Sequence, residues 1–166
     1  MDKPKFTVDT SVVVKWLNQE GEDNTTQALS LLHAAKRNEL LLFSSDLLPI
    51  EVINVLIWSK KLQNNLLEEA IHDLFSFPVQ LITTEEELAS EAGKIAQENR
   101  ITAYDAIFLA VAYKQNIPLI TANPKHQARF KKIPVFDVAE WPVPDKEIEI
   151  YTDKRLKEFL KEDEKH

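Results

Sequence analysis

A chain of 166 residues with 44% hydrophobic content is long enough for one globular domain with a buried core and short for two. Its net charge of −7 disfavours indiscriminate binding to phosphate backbones, and the absence of cysteine excludes disulfide staples and thiolate metal sites. No apolar run is long enough to cross a bilayer and the opening MDKPKFTVD lacks a signal-peptide core, so the expectation is a soluble, cytoplasmic protein with no membrane partner.

KFTV (5–8) is a short β-type run that ends at Asp9, and TSVVVKWL (10–17) follows with helix-length apolar spacing. NTTQALSLLHAAKR (24–37) repeats apolar residues at helical spacing, and ELLLFSS (39–45) is a continuous run of the kind found in buried strands. SSDLLPIEVINVLIWSKK (44–61) offers a Ser or Asp cap, a proline tolerable in the first turn and then a strongly apolar helix. LEEAIHDLFSF (67–77) reads as a helix and PVQLIT (78–83) as a strand. TEEELASEAGKIAQENR (84–100) reads as an amphipathic helix with Thr84 and Glu87 at capping-box spacing. ITAYDAIFLAVAYKQ (101–115) is helical, IPLIT (117–121) a fourth strand, PKHQARFKK (124–132) a basic turn region and IPVFDV (133–138) a fifth strand. Helices alternating with unalternating hydrophobic strands predict an α/β fold with a parallel sheet covered on both faces. Neither Gly21 nor Gly93 belongs to a phosphate-binding glycine loop.

The chain divides into a domain over residues 1–144 and a charged tail over 145–166. In the tail, Leu156, Phe159 and Leu160 would share one face of a helix.

Three carboxylates stand in apolar surroundings. Asp9 ends a buried-type strand at the edge where open parallel sheets bind ligands. Glu51 interrupts LLPIEVINVLIW, with Asn54 one turn later, and Asp105 opens the nearly all-apolar segment 101–113. Each has a plain structural role available: Asp9 as a helix cap, Glu51 facing solvent, Asp105 in a capping box with Thr102. Jointly, residues ending strand one, starting the helix after strand two and opening the helix before strand four can meet in one crevice. Converging carboxylates persist by holding protons or by binding a cation, and oxygen-only ligation selects Mg²⁺ or Mn²⁺. The matching chemistry is metal-assisted phosphodiester hydrolysis.

VDTSV around Asp9, PIEVINVL with Glu51 and Asn54, TAYDAIFLAVA with Asp105, and PLITAN ending at Asn123 resemble, as an ordered set, the PIN-domain ribonucleases and especially the VapC-like toxins of toxin–antitoxin modules. The resemblance spans about Phe6 to Val138. It implies a three-layer α/β/α fold with a central parallel sheet of about five strands. It also implies a Mg²⁺- or Mn²⁺-dependent endonuclease acting on RNA, a homodimer and an inhibiting antitoxin protein.

On this resemblance Asp9 and Asp105 are the principal metal ligands and Glu51 completes the cluster. Thr10 or Ser11 orients Asp9, Asn54 orients Glu51, and Thr121 follows on the next strand. The family often has a fourth acid where this chain has Asn123, which favours one held metal over two; Asp137 is a distant substitute. Lys125, Arg129, Lys131 and Lys132 form a basic edge suited to RNA phosphates, or a merely solvated loop. The competing reading is a PIN-fold RNA- or protein-binding module without turnover.

Overall fold

The computed structural model describes residues 2–141, so the expected tail (145–166) and its boundary at 144 lie outside the described residues. Five strands form one sheet: β1 (Lys5–Val8), β2 (Leu41–Ser45), β3 (Val79–Ile82), β4 (Leu119–Thr121) and β5 (Val135–Asp137). Their order is β3-β2-β1-β4-β5 and every pairing is parallel. Among the described residues, seven α-helices connect them: α1 (Thr10–Leu17), α2 (Thr25–Lys36), α3 (Leu48–Trp58), α4 (Asn64–Ser76), α5 (Glu86–Asn99), α6 (Ala103–Gln115) and α7 (Pro124–Gln127). This is the three-layer α/β/α arrangement with five parallel strands that the sequence pattern led us to expect.

Burial explains why the strands read as continuous apolar runs. Phe6 and Val8 of β1, Leu42 of β2, and Leu119 and Ile120 of β4 are all buried, because helices cover both faces of the sheet. α6 packs against α5, β1, β2 and β4, and Ala106 to Ala112 are buried without interruption. A helix apolar on all sides is one that lies inside. α1 packs against α2, α3 and α4 and contributes Val12, Val13, Val14 and Trp16 to the core.

The strand order fixes the location of a site. From β1 the chain builds outward through β2 and β3, then crosses back so that β4 lies on the other side of β1. The carboxyl ends of β1 and β4 therefore flank the point where the winding direction reverses, which is where open α/β sheets form a ligand crevice.

Two expected caps are corrected. Thr84 does not open α5, whose N-cap position is Glu85 with no side-chain cap. Asp46 and Ser45 do not cap α3, whose N-cap position is Leu47. Instead Asp46 takes both donors of Thr84: its Oδ1 accepts the hydroxyl at 2.5 Å and its Oδ2 the backbone N–H at 3.0 Å. A side chain can saturate either a local helix end or a distant loop, and here the link between the ends of β2 and β3 wins. The basic segment also holds a short helix, α7, where the sequence reads as a turn.

Candidate active site

Asp9 follows the last residue of β1 and is 6% exposed. It occupies the N-cap position of α1, yet its carboxylate makes no capping bond. Oδ1 accepts the Ser11 hydroxyl at 2.5 Å, and Oδ2 accepts the Thr121 hydroxyl at 2.6 Å. β1 and β4 pair Thr7 with Leu119 and Val8 with Ile120, so one step further Asp9 meets Thr121 across the switch point. Ser11 Oγ also accepts the Ala122 N–H at 2.9 Å, and Thr121 Oγ1 accepts that of Asn123 at 3.1 Å. These hydroxyls thus carry the order of the β4 terminus into the Asp9 carboxylate. Burial raises the pKa of Asp9 above the ordinary value, and the hydrogen bonds from Ser11 and Thr121 oppose that shift.

Glu51 lies in the first turn of α3 and is half-buried. Its Oε2 accepts the Thr10 hydroxyl at 3.1 Å. Burial pushes its carboxyl up to about 7; the Thr10 bond acts the other way, and the negative charges of Asp105 and Asp9 raise it further. Thr10 therefore orients Glu51, and Ser11, not Thr10, orients Asp9. Asn54 is exposed and does not line the cleft, whereas Val55, one turn after Glu51, does.

Asp105 opens α6, and both of its structural roles are visible. Thr102 is the N-cap: its hydroxyl accepts the Asp105 N–H at 3.1 Å and lies 3.1 Å from Asp105 Oδ2 as donor. The capping bond uses only the amide of Asp105, so the carboxylate keeps lone pairs toward the cleft.

Asp9, Glu51 and Asp105 all line one cleft of about 970 Å³. Thr10, Ser11, Asn123, Lys125, His126 and Gln127 line it too, along with the connection between α1 and α2. Arg129, Lys131 and Lys132 are exposed beyond its edge, and Lys132 Nζ stands 5.6 Å from the centre of the Tyr113 ring. Asp137 does not line the cleft; its carboxylate caps the following turn by accepting the Ala139 N–H. Gln127, to which no motif points, is buried in the cleft wall, and its Nε2 donates to the Asp105 carbonyl at 3.4 Å. A glutamine in a basic surface-like stretch carries no sequence signal of burial.

Among the described residues no lysine or arginine pairs with Asp9, Glu51 or Asp105. Three mutually repelling oxygen-donor groups without a protein counter-ion are chemically suited to a hard divalent cation. Among the described residues, however, no three acidic or histidine side chains stand close enough to form a ready-made metal cage. The donor set thus fits an ion held by one or two carboxylates that keeps several waters, the usual manner of Mg²⁺.

A parallel α/β sheet with an acidic cleft at its switch point is the class of structure these observations define. The chain belongs to the PIN domain family, whose model matches residues 6–133. PIN-domain proteins are nucleases that generally use divalent metal ions. Comparison with the curated proteins gives no match.

Among solved structures, VapBC2 from Rickettsia felis, bound to a DNA fragment from its promoter, is 18% identical with a TM-score of 0.60, covering 80% of this chain and 98% of its own. VapC20 from Mycobacterium tuberculosis, described as a toxin that cleaves the sarcin-ricin loop, is 18% identical with a TM-score of 0.59, covering 74% and 93%. A toxin–antitoxin complex from Klebsiella pneumoniae gives 21% identity and a TM-score of 0.56, covering 76% and 93%. At such identities the likeness is one of fold.

Proposed function

We propose that this PIN-domain protein is a Mg²⁺- or Mn²⁺-dependent endoribonuclease and the toxin of a toxin–antitoxin pair. The observation that carries this reading is the meeting of Asp9, Glu51 and Asp105 in one cleft with, among the described residues, no lysine or arginine paired to them.

Asp9 and Asp105 would hold the ion, with Glu51 beside them directly or through water. A single ion suits the position of Asn123, whose amide lines the cleft without adding negative charge. When bound, the ion activates water and offsets charge developing on the scissile phosphate. Ser11 and Thr121 fix the direction of the Asp9 carboxylate. Glu51 Oε2 is engaged by Thr10, and a carboxyl titrating near 7 is matched to receive a proton at neutral pH. Lys125 lies in the cleft wall where a phosphate would enter, and Arg129 and Lys131 extend the positive edge for the neighbouring backbone.

The antitoxin partner is supported by solved toxin–antitoxin complexes that share the fold. A homodimer is supported by α3, where Ile50 and Trp58 are 65% and 69% exposed.

Cleavage of RNA by the purified chain, titrated with Mg²⁺ and Mn²⁺, tests the reading. Activity should require the ion and should be lost in Asp9→Asn and in Asp105→Asn; cleavage unchanged by both substitutions overturns it. The amide at Asn123, and among the described residues the lack of a ready-made three-ligand cage, favour a second reading, a binding module without turnover. Metal binding with no RNA cleaved under any condition would select it.

A further inference from the structure

One wall of the cleft is the connection between α1 and α2, residues 18–24, of which Gly21, Glu22, Asp23 and Asn24 face the cavity. This wall is held by charges that the proposed chemistry does not use. Lys15 on α1 is 5% exposed, and its Nζ donates to Glu22 Oε2 at 2.8 Å and to the Asp23 carbonyl at 2.7 Å. Lys60, two residues beyond α3, places its Nζ 2.8 Å from Glu22 Oε1 and donates to the Glu20 carbonyl at 2.6 Å. Gln19 Nε2 returns to the Lys15 carbonyl at 2.7 Å. Both oxygens of Glu22 are thus engaged by ammonium groups, one from α1 and one from the segment after α3, and the loop backbone is gripped at Glu20 and Asp23.

Each charge in this triad needs the others. A lysine as buried as Lys15 requires a paired acid, since removing an ammonium from water alone costs several kcal/mol. Glu22 supplies that charge: partial burial would raise its pKa, but the hydrogen bonds and charges of Lys15 and Lys60 outweigh it and hold Glu22 below the usual carboxylate range. The two lysines offset two of the three negative charges that Glu20, Glu22 and Asp23 bring to this wall, beside a cleft that carries Asp9, Glu51 and Asp105 on its other sides. A loop released from the lysines would instead present Glu22 to an approaching phosphate as an unpaired negative charge.

We infer that Lys15, Glu22 and Lys60 form a positioning clamp that fixes the 18–24 wall and neutralises the Glu22 carboxylate, so that an RNA phosphodiester can enter the acidic cleft. The inference rests on the ribonuclease reading for its substrate, and on the contacts above for the clamp. It assigns the triad to substrate binding and leaves the chemical step to Asp9, Glu51 and Asp105.

The experiment uses the full chain with Glu22→Gln, Lys60→Met and Lys60→Arg. Backbone hydrogen exchange of residues 18–24 reports the clamp without any need for activity. RNA binding in an Asp9→Asn background, compared with that background alone, and the KM and kcat of cleavage report the substrate. Glu22→Gln and Lys60→Met should both accelerate exchange in 18–24, and Lys60→Met, which leaves Glu22 less neutralised, should also weaken RNA binding and raise KM roughly fivefold, the scale of a partly exposed ion pair, with kcat within about twofold. Lys60→Arg should restore both exchange and binding. Unchanged exchange in Glu22→Gln and Lys60→Met overturns the clamp, and a fall in kcat at constant KM overturns its assignment to binding. If the unsubstituted chain neither binds nor cuts RNA, the ribonuclease reading and the substrate half of this inference fall together, while hydrogen exchange still decides whether the clamp exists.

Discussion

The hydroxyl of Thr121 donates to Asp9 Oδ2 at 2.6 Å, joining the ends of two strands that stand 112 positions apart in the chain. Both residues are buried, so water cannot replace the bond if the hydroxyl is removed. Thr121→Val should destabilise the fold by about 1–3 kcal/mol in urea denaturation, the cost of leaving a buried acceptor short of a donor. It should also raise the Asp9 pKa further and weaken divalent-ion binding by roughly 10- to 100-fold, as loss of an orienting partner does. Thr121→Ser, which keeps the hydroxyl, should lie close to the unsubstituted protein. Equal metal affinity in the valine and serine variants would show that the bond does not orient Asp9 for an ion.

Asp105 offers a way to separate a helix-start role from a chemical one. The cap uses the Asp105 amide and the Thr102 hydroxyl, so Asp105→Asn keeps it, whereas Thr102→Ala removes it. Thr102→Ala should cost about 1 kcal/mol of stability and leave cleavage largely intact, and Asp105→Asn should do the reverse. Thermal unfolding beside an RNA cleavage assay checks both. Loss of stability without loss of cleavage in Asp105→Asn would return Asp105 to a purely structural role.

What the sequence revealed and what it concealed have a common physical origin. Continuous apolar strands and periodic helices follow from burial, which marks most of the sheet, so the strands and the six longer helices are legible from 5–8 through 133–138; β3, at the sheet edge with no buried residue, is legible from its apolar content alone. Three carboxylates interrupting those apolar elements were visible for the same reason, because a charge among buried neighbours is costly wherever it occurs. The partners of the polar groups were not visible. Thr84 and Asp46 have good local capping sequences and bond to each other instead, Thr10 reaches Glu51 and not Asp9, and Lys15 and Gln127 read as surface residues yet are buried. A short polar side chain has several partners of similar strength, and only the strand order decides which of them is near.

Glu51 makes stability depend on pH in a direction opposite to that of most carboxylates. Its folded carboxyl titrates at about 7, above its ordinary value of 4.5, so between those values the folded state holds a proton that the unfolded state has released. Without metal, stability should therefore fall as pH rises from about 4.5 to about 7 and this contribution should then level off. Burial of Asp9 gives a slope of the same sign, so Glu51→Gln is the informative comparison. Relative to the unsubstituted protein it should gain in urea midpoint at pH 8 over pH 5, and saturating Mg²⁺ should reduce that gain. A difference between the two proteins that is independent of pH would show that Glu51 is not held protonated by the cleft.

The outer side of α3 makes a prediction independent of the cleft. Leu48, Pro49, Val52 and Leu56 of this helix are buried, but Ile50 and Trp58 are 65% and 69% exposed, and Leu47 precedes them at 37%. Ile50 and Trp58 are eight residues apart and so share a face, which Asn54 joins from between them. That arrangement explains why Asn54 is exposed and Val55 faces the cleft beside Glu51. A helix apolar on its core side that also exposes a tryptophan and an isoleucine on one stripe presents surface that a second copy of the chain would cover favourably. Light scattering of the unsubstituted protein at high micromolar concentration should give a dimer. Ile50→Asp and Trp58→Asp should each give a monomer with little loss of stability, because these side chains are already in water in the single chain. A monomer in the unsubstituted protein, or a dimer that survives both substitutions, would remove α3 as the interface.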